Sequence, residues 1–581
     1  MAARRAHAAL VCHRVRRVRC LRRRAVLSPD PEALRRIMKR LLFFCAGAAV
    51  ALLSGPSPRA ASPQAATAPT TPKLVVVVVV DQMRADYLTR YGDLLGHGLT
   101  RLTREGAWFR KAAYPYLNTV TCAGHSTIGT GELPYHHGMV LNQWYDRAEG
   151  HSIACTEDAS AKNISVGAPA AGGDSASRML TPTLAEVMRK STHGRVVTIS
   201  LKARSAIGLA GHGGDAVVWL GPMGALTTSS AYASAIPEFA AAFANAHPPS
   251  QDAGKVWDRS LPPAKYEYVD DGVGERPSGG WTALFPHPLG GDGGALTPAF
   301  YAHWEQSPFS DEYLEQLAEA AVDNMHLGSG DAPDFLGISF SALDIVGHAF
   351  GPRSHEVQDV LVRLDVTIDK LLKHLDSRIG AGKYVLALSA DHGVADIPEQ
   401  IQNAGRQSAQ DIAQAIDTSL QPFFGAGPYL AASAYTDLYF KPGVYDRLKA
   451  DDKAMKAVAK ALSALPGIER VLRSDELTSP KARESSDKAV RAAALSYYPG
   501  RSGDLIIIPR DNWLLGGGGT THGTLHDYDQ RVPIIFFGAC IRSGAYDDAA
   551  APPDIAATLA SIVHVALPAT DGRVLAAAVA K

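Results

Sequence analysis

The run Leu74-Val-Val-Val-Val-Val-Val-Asp81 constrains this chain more than any other stretch. Six consecutive β-branched residues lose side-chain freedom in a helix and pack well on a pleated surface. No polar residue interrupts them, so both faces of the strand are expected to be buried, as in a parallel sheet covered by helices. The run ends in Asp81. A carboxylate just past the carboxyl end of such a strand lies where open α/β sheets bind their ligands. An apolar segment leading to an Asp recurs at Asp344 and at Asp391.

Further β-like segments occur at 195–201, 335–340, 384–389, 504–508 and 532–537. Helical patterns lie between several of them. The clearest spans 355–379, with Val357, Val360, Leu361, Leu364, Ile368, Leu371, Leu372 and Leu375 at i, i+3, i+4 spacing. Strands alternating with amphipathic helices predict an α/β fold with a mostly parallel central sheet and helices on both faces. Two stretches break the rhythm, at about 205–330 (Gly-, Pro- and Ala-rich up to a helix over 312–325) and at 397–503. Both read as insertions forming a cap over the carboxyl edge of a domain spanning 74–581.

With 58 basic and 58 acidic residues the net charge is zero, so nothing suggests a nucleic-acid partner. Arginines do crowd the first 40 residues, at Arg14, Arg16, Arg17, Arg19 and Arg22 to Arg24. The simpler reading than a binding arm is an export signal over 38–61, opening at Met38-Lys39-Arg40 and running through the apolar segment Leu41 to Leu53. Residues 1–37 are then an N-terminal extension, disordered or never made, and 62–73 a linker. The apolar segment is too short for a membrane span. After cleavage Cys122, Cys155 and Cys540 remain; an odd count supports no disulfide framework, and a single bridge would favour Cys122 with Cys155.

Four sites gather Asp and His at strand or loop ends: Asp81, Asp344 with His348, Asp391 with His392, and His522. Carboxylate and imidazole are the ligand types that zinc takes. Each site alone is weak in a chain with 20 His; four together point to two metals clamping an in-line displacement. The segment Asn118-Thr-Val-Thr121-Cys-Ala-Gly-His-Ser126 supplies candidate nucleophiles, Thr121 and its rival Thr119. From Cys122 onward it suits a helix amino terminus, where backbone N–H groups and the dipole favour a phosphate. An ordinary threonine N-cap is the commoner use of such a residue.

These motifs, with His136-His-Gly-Met-Val-Leu-Asn142, Ser200-Leu-Lys202-Ala-Arg204 and Thr521-His522-Gly523, resemble the alkaline phosphatase superfamily. More narrowly they are similar to its bacterial, exported phosphatases with a Thr nucleophile and a Lys/Arg pair. The resemblance covers 74 to the carboxyl terminus in motif order. It implies one zinc on Asp344, His348 and His522, and another on Asp81, Asp391 and His392 with Thr121 as a further ligand. It also implies nucleophilic attack by Thr121 through a phosphothreonine, and phosphoryl binding by Asn142, Lys202 and Arg204. His125, His136, His137 and His526 then support the site from outside it.

The expected activity is hydrolysis of small phosphate monoesters by a periplasmic or secreted monomer with two zinc ions. Calcium is a further candidate at Asp270-Asp271-Gly272, where a solvated turn is the simpler reading. The nearest rival is a nucleotide pyrophosphatase or phosphodiesterase on the same scaffold, which needs room for a second phosphorus substituent. A rival from another class is a catalytically silent periplasmic metal-binding protein. A sulfatase lacks its Cys/Ser-x-Pro-x-Arg motif here, and a phosphoethanolamine transferase its membrane spans.

Overall fold

The computed structural model describes residues 71–580 apart from 168 and 291–295. The expectations for 1–37, 38–61 and most of the linker lie outside the described residues. No helix among the described residues is long and apolar enough to cross a membrane.

The valine run is strand β1 (Leu74–Val80), buried throughout. Its sheet continues through β2 (Ala107–Ala112), β3 (Asn163–Ser165), β4 (Val196–Ser200), β5 (Ala216–Leu220), β6 (Leu226–Ser229), β7 (Asp334–Phe340) and β8 (Tyr384–Ser389). A separate four-stranded sheet follows, from β9 (Leu430–Ala434), β10 (Asp437–Phe440), β11 (Ile468–Arg473) and β12 (Leu505–Pro509). The chain then rejoins the main sheet through β13 (Ile534–Gly538) and β14 (Gly544–Ala550).

Across the ten-stranded sheet the order is β14-β2-β13-β8-β1-β7-β4-β5-β6-β3. The central run β8-β1-β7-β4-β5 is parallel. Antiparallel pairs lie toward the flanks, where β13 meets β8 and β2, and β6 meets β5 and β3. The run at 504–508 forms a strand, but β12 pairs antiparallel with β10 and β11 in the smaller sheet. An apolar run reports burial, not the partner that supplies it.

Helices α1 (Thr121–Thr130), α2 (Ala203–Ala210), α3 (Pro308–Asn324), α4 (Ala342–Phe350), α5 (His355–Leu375) and α6 (Pro553–Ile562) flank the sheet. Alternation along β1 decides which they meet. Val76, Val78 and Val80 join a core with Leu314 and Leu317 of α3 and Val360, Leu364 and Ile368 of α5. Val75, Val77 and Val79 join a second core with Ile128, Leu209, Ile555 and Leu559. Each valine is at most 4% exposed, a burial worth about 1.5–2 kcal/mol per side chain. The smaller sheet has its own core, including Ile412, Ile416, Leu438, Val458 and Leu505.

Candidate active site

The carboxyl ends of the central parallel strands bring the predicted residues together. Asp81 follows β1, Asp391 and His392 follow β8, and Lys202 follows β4. Asp344 and His348 stand one turn apart on α4, with His348 Nε2 3.2 Å from Asp344 Oδ1. Residues Asp81, Asp391 and His392 form one group whose ligand atoms lie within 4.8 Å of one another; Asp344, His392 and His522 form a second. His392 belongs to both, and its ring stacks on that of His522 at 3.5 Å between centroids.

The donor chemistry fits a metal. In each of the three histidines Nδ1 faces a backbone carbonyl: Thr520 for His348 (2.9 Å), Gly393 for His392 (3.0 Å) and Thr119 for His522 (2.8 Å). A proton on Nδ1 leaves the Nε2 lone pair for a ligand bond. Burial pushes the His392 imidazole down to about 4 and holds that of His522 well below its ordinary value, so both are neutral near pH 7. Asp81 Oδ1 and Asp391 Oδ2 are buried with no hydrogen-bond partner. Such orphans are costly unless something positive meets them. The Lys202 ammonium touches Asp81 Oδ2 and lies 2.5 Å from Asp344 Oδ2, between the two groups.

Thr121 opens α1. Val120, not Thr121, is the N-cap residue, and its side chain makes no capping bond. The Thr121 hydroxyl is therefore not spent on capping; it lies 3.5 Å from His392 Nε2. Thr119, by contrast, donates its hydroxyl to the Thr524 carbonyl at 2.9 Å. Close approach of α1 to β8 depends on Gly124, where a Cβ would fall 2.3 Å from the Asp391 carbonyl oxygen. Asn142 Oδ1 accepts from the Cys122 N–H at 2.8 Å, and Arg204 brings a buried, unpartnered Nε.

Cys122 and Cys155 are joined by a disulfide, which ties the head of α1 to the loop carrying Asn142. The bond closes a sequence separation of 33, so Cys155→Ser is expected to cost about 3–4 kcal/mol by loss of loop closure. Denaturant melts without reductant check this; an unchanged midpoint would contradict it.

The supporting histidines have structural partners. His125 is fully buried, with Nδ1 3.0 Å from the Thr121 carbonyl and Nε2 2.8 Å from Ser339 Oγ. His137 bonds Thr127 (3.1 Å), His136 faces Asp571 (3.0 Å) and His526 faces the Pro509 carbonyl (3.0 Å). Asp270 is engaged by Arg259 and by His355 Nδ1 at 3.1 Å.

Two contributors carry no motif of their own. Gln82, at φ 67°, donates its N–H to Asp391 Oδ1 (3.1 Å) and its amide to Asp344 Oδ1 (2.6 Å), bridging the two groups. Its place beside Asp81 was the one available hint. Asp311 of α3 accepts from the Ser341 and Ala342 N–H groups (3.0 and 3.2 Å), capping the helix that bears Asp344 and His348.

Burial lifts the Asp311 carboxyl to about 7, against those two donors. A folded pKa raised above the unfolded value means stability that is full below about pH 4 and lost as the pH rises through 7. Asp311→Asn keeps the acceptor and removes the charge. Relative to the parent, its stability is expected to improve by roughly 2–4 kcal/mol from pH 4 to pH 9. Denaturant melts at both pH values test this, and a pH-independent difference would refute it.

A parallel α/β sheet whose carboxyl edge carries a buried threonine and two carboxylate–imidazole groups defines a metal-dependent hydrolytic class. The chain belongs to the type I phosphodiesterase / nucleotide pyrophosphatase family, whose pattern matches residues 75–529, within the alkaline phosphatase superfamily. A relative named alkaline phosphatase PafA, from Elizabethkingia meningoseptica, is 32% identical over 522 residues, covering 86% of this chain and 92% of its own. Another, from Myroides odoratus and named a calcium-transporting ATPase, is 31% identical over 518 residues, with coverages of 86% and 92%. The crystal structure of wild-type PafA matches with a TM-score of 0.81 at 31% identity, covering 88% of this chain and 100% of that one.

Proposed function

We propose that this chain is an exported, metal-dependent phosphate monoesterase of the alkaline phosphatase type, with Thr121 as nucleophile. The observation that carries the reading is the Thr121 hydroxyl at the head of α1, 3.5 Å from the imidazole shared by the two ligand groups. Asp344, His348 and His522 would hold one zinc, His348 joining that group through Asp344, 3.2 Å from its Nε2, and Asp81, Asp391 and His392 would hold the other with Thr121 as a further ligand. Bound there, two zinc ions supply Lewis acidity and positive charge to the oxygens that gain charge in the displacement.

The chain's own residues do the rest. Thr121 Oγ bonds to phosphorus as the ester P–O bond breaks; the hydroxyl proton passes to solvent, and the leaving alkoxide takes a proton from solvent to depart as the alcohol. Water then attacks the same phosphorus, the Thr121 Oγ–P bond breaks, and Thr121 regains a proton. Asn142, Lys202 and Arg204 bind the non-bridging oxygens, Arg204 as a planar fork and Lys202 as a point charge. The α1 amino terminus adds its dipole. The Cys122–Cys155 bridge fits an oxidising compartment such as the periplasm.

A Lys/Arg pair favours the dianionic monoester over the diester, which carries one charge less. With zinc supplied, p-nitrophenyl phosphate is expected to turn over far faster than bis-p-nitrophenyl phosphate. Arg204→Ala is expected to lower the monoester rate by about 10²–10³-fold and the diester rate far less. Preference for the diester would move the assignment to the phosphodiesterase branch. No turnover of either, with zinc bound, would favour the silent binding protein.

A further inference from the structure

The β9–β10 hairpin turns through two residues, Tyr435 and Thr436, between the paired Ala434 and Asp437. Tyr435 has φ 51°, a backbone region that favours glycine or asparagine and costs a bulky residue energy. A turn optimised for stability alone would not place tyrosine there. The tip is held in place by Thr436, whose hydroxyl donates to Asn118 Oδ1 at 2.6 Å, and by Asn118 Nδ2, which donates to Asp437 Oδ2 at 3.1 Å. Asn118 lies three residues before Thr121, so the inserted hairpin is anchored to the nucleophile's own segment.

Two features of Tyr435 point to substrate. Its hydroxyl oxygen accepts one N–H of Asn142 Nδ2 at 3.0 Å, while Asn142 Oδ1 is committed to the Cys122 N–H. An amide nitrogen has two N–H groups, so this orientation leaves one for a phosphoryl oxygen. Tyr435 also lines a cavity of about 300 Å³ together with Gln143, Leu514, Leu515, His522 and Thr524. That volume is at the small end of ligand sites, which span roughly 300–1,000 Å³. No Lys, Arg, Asp or Glu lines it, and it borders the site at two points, the proposed zinc ligand His522 and Tyr435, which holds Asn142.

We propose that this cavity is the leaving-group subsite, that it takes a single uncharged aryl group, and that Tyr435 is its specificity-determining residue. The inference rests on the monoesterase reading above. Tyr435 acts twice, through Asn142 on the phosphoryl group and through its ring on the leaving group, and two variants separate the roles. Tyr435→Phe keeps the ring and removes the acceptor for Asn142. Tyr435→Gly removes the ring at a φ that glycine adopts freely, so the turn is preserved.

The zinc-loaded protein is assayed with phenyl phosphate and methyl phosphate, each variant being compared with the parent on the same substrate. For Tyr435→Gly, kcat/KM is expected to fall at least 10-fold further on phenyl phosphate than on methyl phosphate. Tyr435→Phe is expected to lower both by a similar factor. Calorimetry with phenylphosphonate and methylphosphonate supplies a readout without turnover: the parent prefers the aryl ligand by about 10-fold or more, and Tyr435→Gly abolishes the preference. Equal losses on both substrates in Tyr435→Gly, or no aryl preference in the parent, would overturn the subsite. Absence of Thr121-dependent turnover in the parent would instead overturn the monoesterase reading, whatever the phosphonates show.

Discussion

Replacing Thr121 by alanine is expected to lower phosphate-monoester turnover by on the order of 10⁴-fold or more in kcat, the scale at which nucleophile deletions act. The geometry leaves no substitute close by. Thr119 is bonded to the Thr524 carbonyl, and Ser126 is four residues into the buried body of α1 past Cys122. Thr121→Ser retains a hydroxyl at the same helix end and is expected to keep measurable turnover. Zinc should still bind in both variants, since the three imidazoles and three carboxylates remain and Thr121→Ala removes only the further oxygen ligand at one zinc. Acid quench during turnover of a radiolabelled monoester reads the intermediate directly, as label on Thr121 in the parent and none in Thr121→Ala. An alanine variant within 10-fold of the parent would remove Thr121 from the mechanism.

Stripping metal with a chelator has the second large expected effect, on activity and stability together. Asp81, Asp344 and Asp391 are each at most 3% exposed, and Lys202 is the side-chain cation that touches Asp81 and Asp344. Burial, followed by the neighbouring Asp81, pushes the Asp391 carboxyl well above the ordinary range. Burial also opposes charge on Asp344, but Lys202 and then His348 outweigh it and hold that carboxyl well below. Divalent cations neutralise this cluster better than one ammonium can. A ligand at about 1,000 times its Kd contributes about 4 kcal/mol to the folded state. Chelation is therefore expected to abolish turnover and to lower the melting temperature by several degrees, both restored by zinc. Restoration by magnesium alone would contradict the zinc assignment, and an unchanged melting temperature would contradict the ligand set.

The central strands were legible in the sequence because burial on both faces writes an uninterrupted apolar run into the chain itself. The same holds for Asp81, Asp391 and His392, which sit at the ends of such runs, and for Asp344 and His348, whose spacing is one helical turn. For Cys122 and Cys155 the sequence favoured the pairing but did not establish that a bridge forms, and the folded chain joins them. The antiparallel entry of β13, and the removal of β12 to the smaller sheet, were unreadable. Their local pattern is that of any buried strand.

The least legible parts of the site are contacts between distant segments. Gln82 reaches Asp344 across 262 residues, and Tyr435 receives Asn142 across 293. Gln82 adjoins Asp81, but neither it nor Tyr435 is a residue type whose neighbouring sequence reveals the distant partner it meets. Sequence alone determined the strands, the amphipathic helices and the residue types at their ends, since those depend on neighbours along the chain. Tertiary structure decided which ends meet, which imidazole nitrogen faces a backbone carbonyl and which threonine hydroxyl is tied to one, since hydrogen-bond partners and burial are set by packing.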